Sequence, residues 1–203
     1  MAEATQDAAL HARARRIEWL SVGITLLEAA VALPAGVASG SVALIGFGLD
    51  SVIEIASSIT LLWSLAGESQ SRERRAERAL RYVGALLMLL AIYIAADSVW
   101  TLVRREAPSP SAIGLVVLAA TVVLMTFMTK AKRKVARELG SDAMEADAKQ
   151  SGFCGYLASI ALAGVGLNYA FGWWWADPST ALIMVPVIAR EGIEALRGET
   201  CVH

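Results

Sequence analysis

The chain has 203 residues, 56% of them hydrophobic, and a formal net charge of −1, with a mean hydropathy of +0.54. That composition excludes an ordinary soluble domain, which must also cover itself with polar surface, and points to a membrane protein. The small net charge averages two populations: Lys and Arg in the connections, and several carboxylates inside apolar runs.

Residues 1–16 read as a short polar tail with no signal-peptide pattern, so the mature chain is expected to begin at or near Met1. Apolar stretches near 20 residues follow, each able at about 1.5 Å per residue to cross a hydrocarbon core of roughly 30 Å. Backbone groups in lipid must pair internally, so each stretch is predicted to be a helix. The spans are expected at 17–37, 41–65, 80–103, 111–129, 146–170 and 179–196. The fold class is thus an all-α membrane protein with six transmembrane helices filling 17–196. A short tail at 197–203 is expected to end the chain, with no soluble domain after it.

The connections after the first, third and fifth spans are short, and those after the second and fourth read as longer, charged loops. Of the 18 Lys and Arg residues, only Arg104 and Arg105 fall on the side opposite the termini. The positive-inside rule then places both termini in the cytoplasm, in a plasma or inner membrane. Lys132 is counted here as a loop cation. Anionic lipid headgroups are the expected partners of the basic loops, and no nucleic acid is expected, because membrane topology accounts for every basic cluster. Trp173, Trp174 and Trp175 read as an anchor at the outer interface.

Ionisable side chains near the bilayer centre are costly unless partnered, so each carries a functional hypothesis. In the second span Asp50 lies roughly 15 Å below the outer end, and Glu54 is one turn deeper on the same face. Two carboxylates side by side in low dielectric repel unless a proton or metal ion neutralises the pair. A metal requires deprotonated ligands, so a site alternating between metal and protons suits proton-coupled exchange. A packing hydrogen bond with one acid protonated is the alternative.

Gln150 and Cys154 are likewise four residues apart in the fifth span, and counting rises from the outer end brings Cys154 to about the depth of Glu54. A thiolate favours zinc and softer ions, and Gln150 offers a carbonyl oxygen. A lone membrane cysteine also serves as a small packing residue. Glu28, near mid-membrane in the first span, could be an accessory ligand, a proton carrier or the partner of a polar helix face. Asp97, Asp177, Glu191 and Asn168 lie nearer helix ends, where solvent or an Arg would satisfy them. Cys154 and Cys201 differ too much in depth for a disulfide, and the Cys201 and His203 pair supplies too few ligands for a site. No nucleotide-binding loop or nucleophile with a base in reach is present, so no enzyme activity and no prosthetic group are expected.

Two blocks resemble the cation diffusion facilitator family of metal transporters. One is GSVALIGFGLDSVIEI from Gly40 to Ile55. The other is EADAKQSGFCGYL from Glu145 to Leu157, followed by GWWWADPSTAL from Gly172 to Leu182. The resemblance implies that Asp50 and Glu54 bind the transported ion. The family's fifth-helix ligand pair, commonly His or Asp followed four residues later by Asp, falls on Gln150 and Cys154, a departure toward a neutral amide and a thiol. The usual cytoplasmic metal-binding domain after the sixth span is not expected here. Homodimers and alternating access with proton exchange are also implied. The third span, with Tyr93, Ala91, Ala95 and Ala96, is one surface suited to dimer packing.

The expected function is secondary transport of a divalent transition metal, zinc foremost, out of the cytoplasm in exchange for protons. Asp50, Glu54 and Cys154 would hold the ion, and Gln150 or water would complete the shell. Cadmium, cobalt, iron, manganese, mercury and copper stay open. The alternative is a non-transporting metal sensor or partner subunit of the same fold.

Overall fold

A computed structural model describes the backbone of residues 2–64 and 69–197, and the side chains of residues 10–59, 81–141 and 144–197. The side chains of Arg72, Arg74, Arg75 and Arg78, and the Cys201 and His203 pair, lie outside the described residues. Six helices follow in order: α1 (Ala2–Ser39), α2 (Val42–Ser64), α3 (Ser69–Arg104), α4 (Ala112–Leu139), α5 (Asp142–Phe171) and α6 (Ala176–Arg197). The first five contain stretches long and apolar enough to cross a membrane. α6 has 22 residues, a sufficient length at about 1.5 Å per residue, but its second half carries Arg190, Glu191, Glu194 and Arg197.

The helices run past the expected spans at the basic end. Residues read as a polar tail continue α1 back to Ala2, and the charged loop expected after the fourth span is helical except at Gly140 and Ser141. The reason is local: 130–139 is built from Lys, Arg, Ala, Val, Glu and Leu, with no Gly or Pro, and Lys, Arg and Glu are good helix formers even though they are charged. Gly140 then stops α4 in the left-handed conformation at φ 58°, and Ser141 opens α5 by accepting a hydrogen bond from the Met144 amide.

Packing divides the helices into a pair and a quartet, joined through α2 against α3 and α6 and through α5 against α6. α3 and α6 lie against each other, α1, α2, α4 and α5 form the quartet, and α2 touches α1, α3, α5 and α6. The α3–α6 crossing is close at Gly84, where a Cβ would come within 2.7 Å of the Gly192 carbonyl oxygen. Phe47, Leu87, Ile94, Leu118, Leu157 and Met184 fill the apolar interior. A smaller apolar layer of Ala14, Val135, Ala136 and Met144 sits at the basic end between α1, α4 and α5. Of the α3 residues expected to favour a dimer surface, Ala91 faces the interior and Ala95 is half-buried, whereas Tyr93 and Ala96 are exposed.

The opposite end is stitched by polar contacts. The Asn168 side-chain amide donates to the Pro108 carbonyl at 2.9 Å, and the Ser109 amide donates to the Ser39 carbonyl at 2.7 Å. Asp177 is fully buried and accepts from the Ser41 hydroxyl and the Val42 amide. The expectation that solvent or an Arg would satisfy Asp177 and Asn168 is therefore corrected. Both are buried where helices turn, and backbone groups left unpaired at those turns are what they bond. Trp173 and Trp175 stack at 5.4 Å and are exposed at this end.

Candidate functional site

Inside the quartet each helix turns a polar stripe inward. α1 contributes Glu18, Ser21, Thr25 and Glu28, α2 contributes Asp50, Ser51, Glu54 and Ser58, α4 contributes Thr121 and Lys132, and α5 contributes Asp147, Ser151 and Cys154. Spacings of three and four residues keep the α1 and α5 stripes on one helix face, and Thr121 and Lys132 share a face of α4 with the buried Met125 and Met128 between them. The result is a polar seam running lengthwise through an apolar bundle.

Asp50 and Glu54 occupy the middle of the seam at 0% and 1% exposure. None of their four carboxylate oxygens has a hydrogen-bond partner of regular geometry. Such groups are expensive to bury, and a cation placed between them would remove that cost. Glu54 lies beside the Cys154 thiol and within electrostatic reach of Asp50, Lys132 and Glu28. Asp50 is in the field of Glu28 and of Glu191 on α6. The match in depth expected between Glu54 and Cys154 is thus seen as adjacency across the α2–α5 contact.

Glu28 is buried at 5% exposure. Its Oε1 accepts from the Thr121 hydroxyl at 2.8 Å, and its Oε2 has no partner. Gln150 differs from the other expected ligands. It is half-buried, at the margin of the face on which α5 buries Asp147, Ser151 and Cys154. Among the described residues no three His, Cys, Asp or Glu side chains converge closely enough to hold a metal ion. Asp50, Glu54 and Cys154 therefore face the same seam without forming a closed ligand shell.

Toward the basic end the seam holds a cluster that no single position announces. The Lys132 ammonium, fully buried, lies 2.5 Å from Asp147 Oδ2 and 3.4 Å from Glu18 Oε2. Lys132 therefore does not serve as a loop cation: the extension of α4 carries it inward, where two carboxylates receive it. A usable signal was the run Glu18, Ser21, Thr25, Glu28 at helical spacing in an otherwise apolar stretch, which marks an inward polar face.

Residues 81–199, more than half of the chain, match the family described as the cation efflux transmembrane domain. The chain belongs to that family. The match covers the α3–α6 region and leaves the acidic pair of α2 outside it. Full-length relatives extend further. Transmembrane protein 163 of Xenopus laevis is 26% identical over 184 residues, covering 89% of this chain and 65% of that protein. An uncharacterized transporter of Synechocystis sp. is 26% identical over 177 residues, covering 83% of this chain and 57% of that protein. The chain thus spans less than two thirds of the length of these two relatives. This cation efflux domain is an integral membrane protein, by family and by its apolar helices.

Proposed function

We propose that the protein is a secondary transporter of divalent transition-metal cations, zinc foremost, which exports the ion from the cytoplasm in exchange for protons. The observation that carries this reading is the buried Asp50–Glu54 pair, whose oxygens lack hydrogen-bond partners of regular geometry and which has the Cys154 thiol beside Glu54. A structural role would leave such carboxylates hydrogen-bonded, as Asp177 is. Family membership and the similarity to a protein named as a transporter support the same reading.

Asp50, Glu54 and Cys154 would be the ligands, with Gln150 or water completing a roughly tetrahedral shell once the α5 face turns slightly. Glu28, held by Thr121, would carry protons or act as an accessory ligand. Protons returning to the acids would discharge the metal, because only the deprotonated groups hold it. No prosthetic group and no enzymatic step enter this scheme. The basic end would face the cytoplasm, where Lys130, Arg133, Lys134 and Arg137, with Glu138 beside them, line a surface concavity whose cations suit anionic lipid headgroups. Homodimers would pack through the exposed side of α3.

A second reading, a metal sensor or partner subunit without flux, draws on the marginal position of Gln150 and the lack of a closed three-residue shell among the described side chains. Flux in proteoliposomes separates the two. Transport of zinc, cadmium, cobalt, iron or manganese that disappears in Asp50→Ala, and whose ion preference moves toward harder ions in Cys154→Ser, supports the transporter. Well-folded protein that passes none of these ions supports the sensor.

A further inference from the structure

The Glu18, Lys132 and Asp147 cluster lies on the seam yet outside the proposed ion site. Asp147 precedes Cys154 by seven residues, so it lies roughly 10 Å nearer the basic end along α5. Glu18 lies a similar interval beyond Thr25 on α1. Between cluster and site are the hydroxyls of Ser21 and Ser151, both buried at 0% exposure and without partners. One turn outward on the same three helices come Ala14, Val135 with Ala136, and Met144, the small apolar layer at the basic end. An ion moving between that end and Glu54 therefore meets an apolar seal and then a buried ammonium held by two carboxylates.

We infer that Lys132 is the gate of the path at the basic end: its ammonium holds α1 and α5 to α4 through Glu18 and Asp147, and release of that clamp opens the way to Glu54 and Cys154. The inference rests on the transport reading for the identity of the path it closes. Three features support it. The clamp joins three helices through one side chain, so a single release loosens the contact of all three at that level. Its acidic groups outnumber its cation, since Glu18 and Asp147 both face the single Lys132 ammonium. An arriving cation would thus find carboxylate oxygen already available. The ammonium also lies within electrostatic reach of Glu54, so the charge state of the ion site bears on how tightly the clamp is held. Lys132 acts here as a positioning residue and is not itself a ligand.

Cys154 is a built-in reporter for this gate. In a Cys201→Ser background it is the sole thiol, and a membrane-impermeant methanethiosulfonate can be applied to oriented proteoliposomes from either side. Lys132→Gln is expected to raise the rate of Cys154 modification from the basic end on the order of tenfold, the shift that a modest loss of closed-state preference produces. The rate from the opposite end should stay within about twofold, and Lys132→Arg, which keeps a cation between Glu18 and Asp147, should return the rate toward that of the parent. Should Lys132→Gln fail to fold, Glu18→Gln and Asp147→Asn each weaken the clamp while keeping the ammonium, and the same one-sided rise is expected. An unchanged rate, or an equal rise from both ends, overturns the gate whatever the flux. One-sided opening in a protein that carries no ion supports the gate and overturns the transport reading alone.

Discussion

Asp177, the second residue of α6, holds the first turn of α2 through Ser41: its Oδ1 accepts from the Ser41 hydroxyl at 2.5 Å and its Oδ2 from the Val42 amide at 2.9 Å. Ser41 in turn accepts from the Leu44 amide at 3.1 Å. One carboxylate thus caps a helix 135 residues away in sequence, and that helix carries Asp50 and Glu54. Removing it in Asp177→Ala leaves buried amides unpaired and is expected to cost about 1–3 kcal/mol. A lower midpoint of thermal unfolding in detergent checks this, and an unchanged midpoint would show that the cap contributes nothing.

The buried ion cluster makes a sharper prediction. Lys132→Met leaves Glu18 and Asp147 facing each other in the interior without a cation, and breaking such a pair costs about 3–5 kcal/mol. The triple variant Glu18→Gln, Lys132→Met, Asp147→Asn removes all three charges and should recover most of that loss. Unfolding midpoints of both variants test it. A triple variant no more stable than Lys132→Met would mean that the packing of the Lys132 stem, rather than its charge, is what matters.

The proposed ion site behaves in the opposite sense. Asp50 is buried without a hydrogen-bond partner and Glu54 has only the Cys154 thiol beside it, so Glu54→Gln is expected to raise stability in metal-free buffer while abolishing flux, the trade seen where function requires a strained group. Zinc should raise the unfolding midpoint of the parent and not of Glu54→Gln. Equal stabilisation of both by zinc would place the binding elsewhere.

The α3–α6 crossing allows no side chain at Gly84, where a Cβ would also lie 2.8 Å from the Leu196 amide nitrogen. Gly84→Val should separate the two helices, with a loss of about 1–3 kcal/mol as for other overpacked contacts. Thermal unfolding reads the loss, and a Gly84→Ala variant is expected to fall between Gly84→Val and the parent.

How much of this was legible in the sequence depended on range. The apolar runs located every helix, because hydrophobic length is a local property, and the spacing of Asp50 and Glu54 placed them on one face. Helix ends at the basic side were misjudged, because charge was taken to mean loop where Lys, Arg and Glu continue a helix as far as Gly140. Lys132 illustrates the consequence: three of the four residues within two positions of it are charged, yet it is fully buried. Its partners Glu18 and Asp147 stand 114 and 15 positions away, in helices whose packing no local pattern specifies. Gln150 shows the limit of counting by fours. The buried stripe of α5 passes through Ser151 instead, one position along, because the face is set by contact with α2, α4 and α6.

The most direct test of the account is zinc uptake recorded together with lumenal pH in proteoliposomes, comparing the parent with Glu54→Ala. Zinc movement accompanied by opposite proton movement in the parent, both lost in Glu54→Ala, is the expected result. Zinc movement that persists undiminished in Glu54→Ala would contradict it.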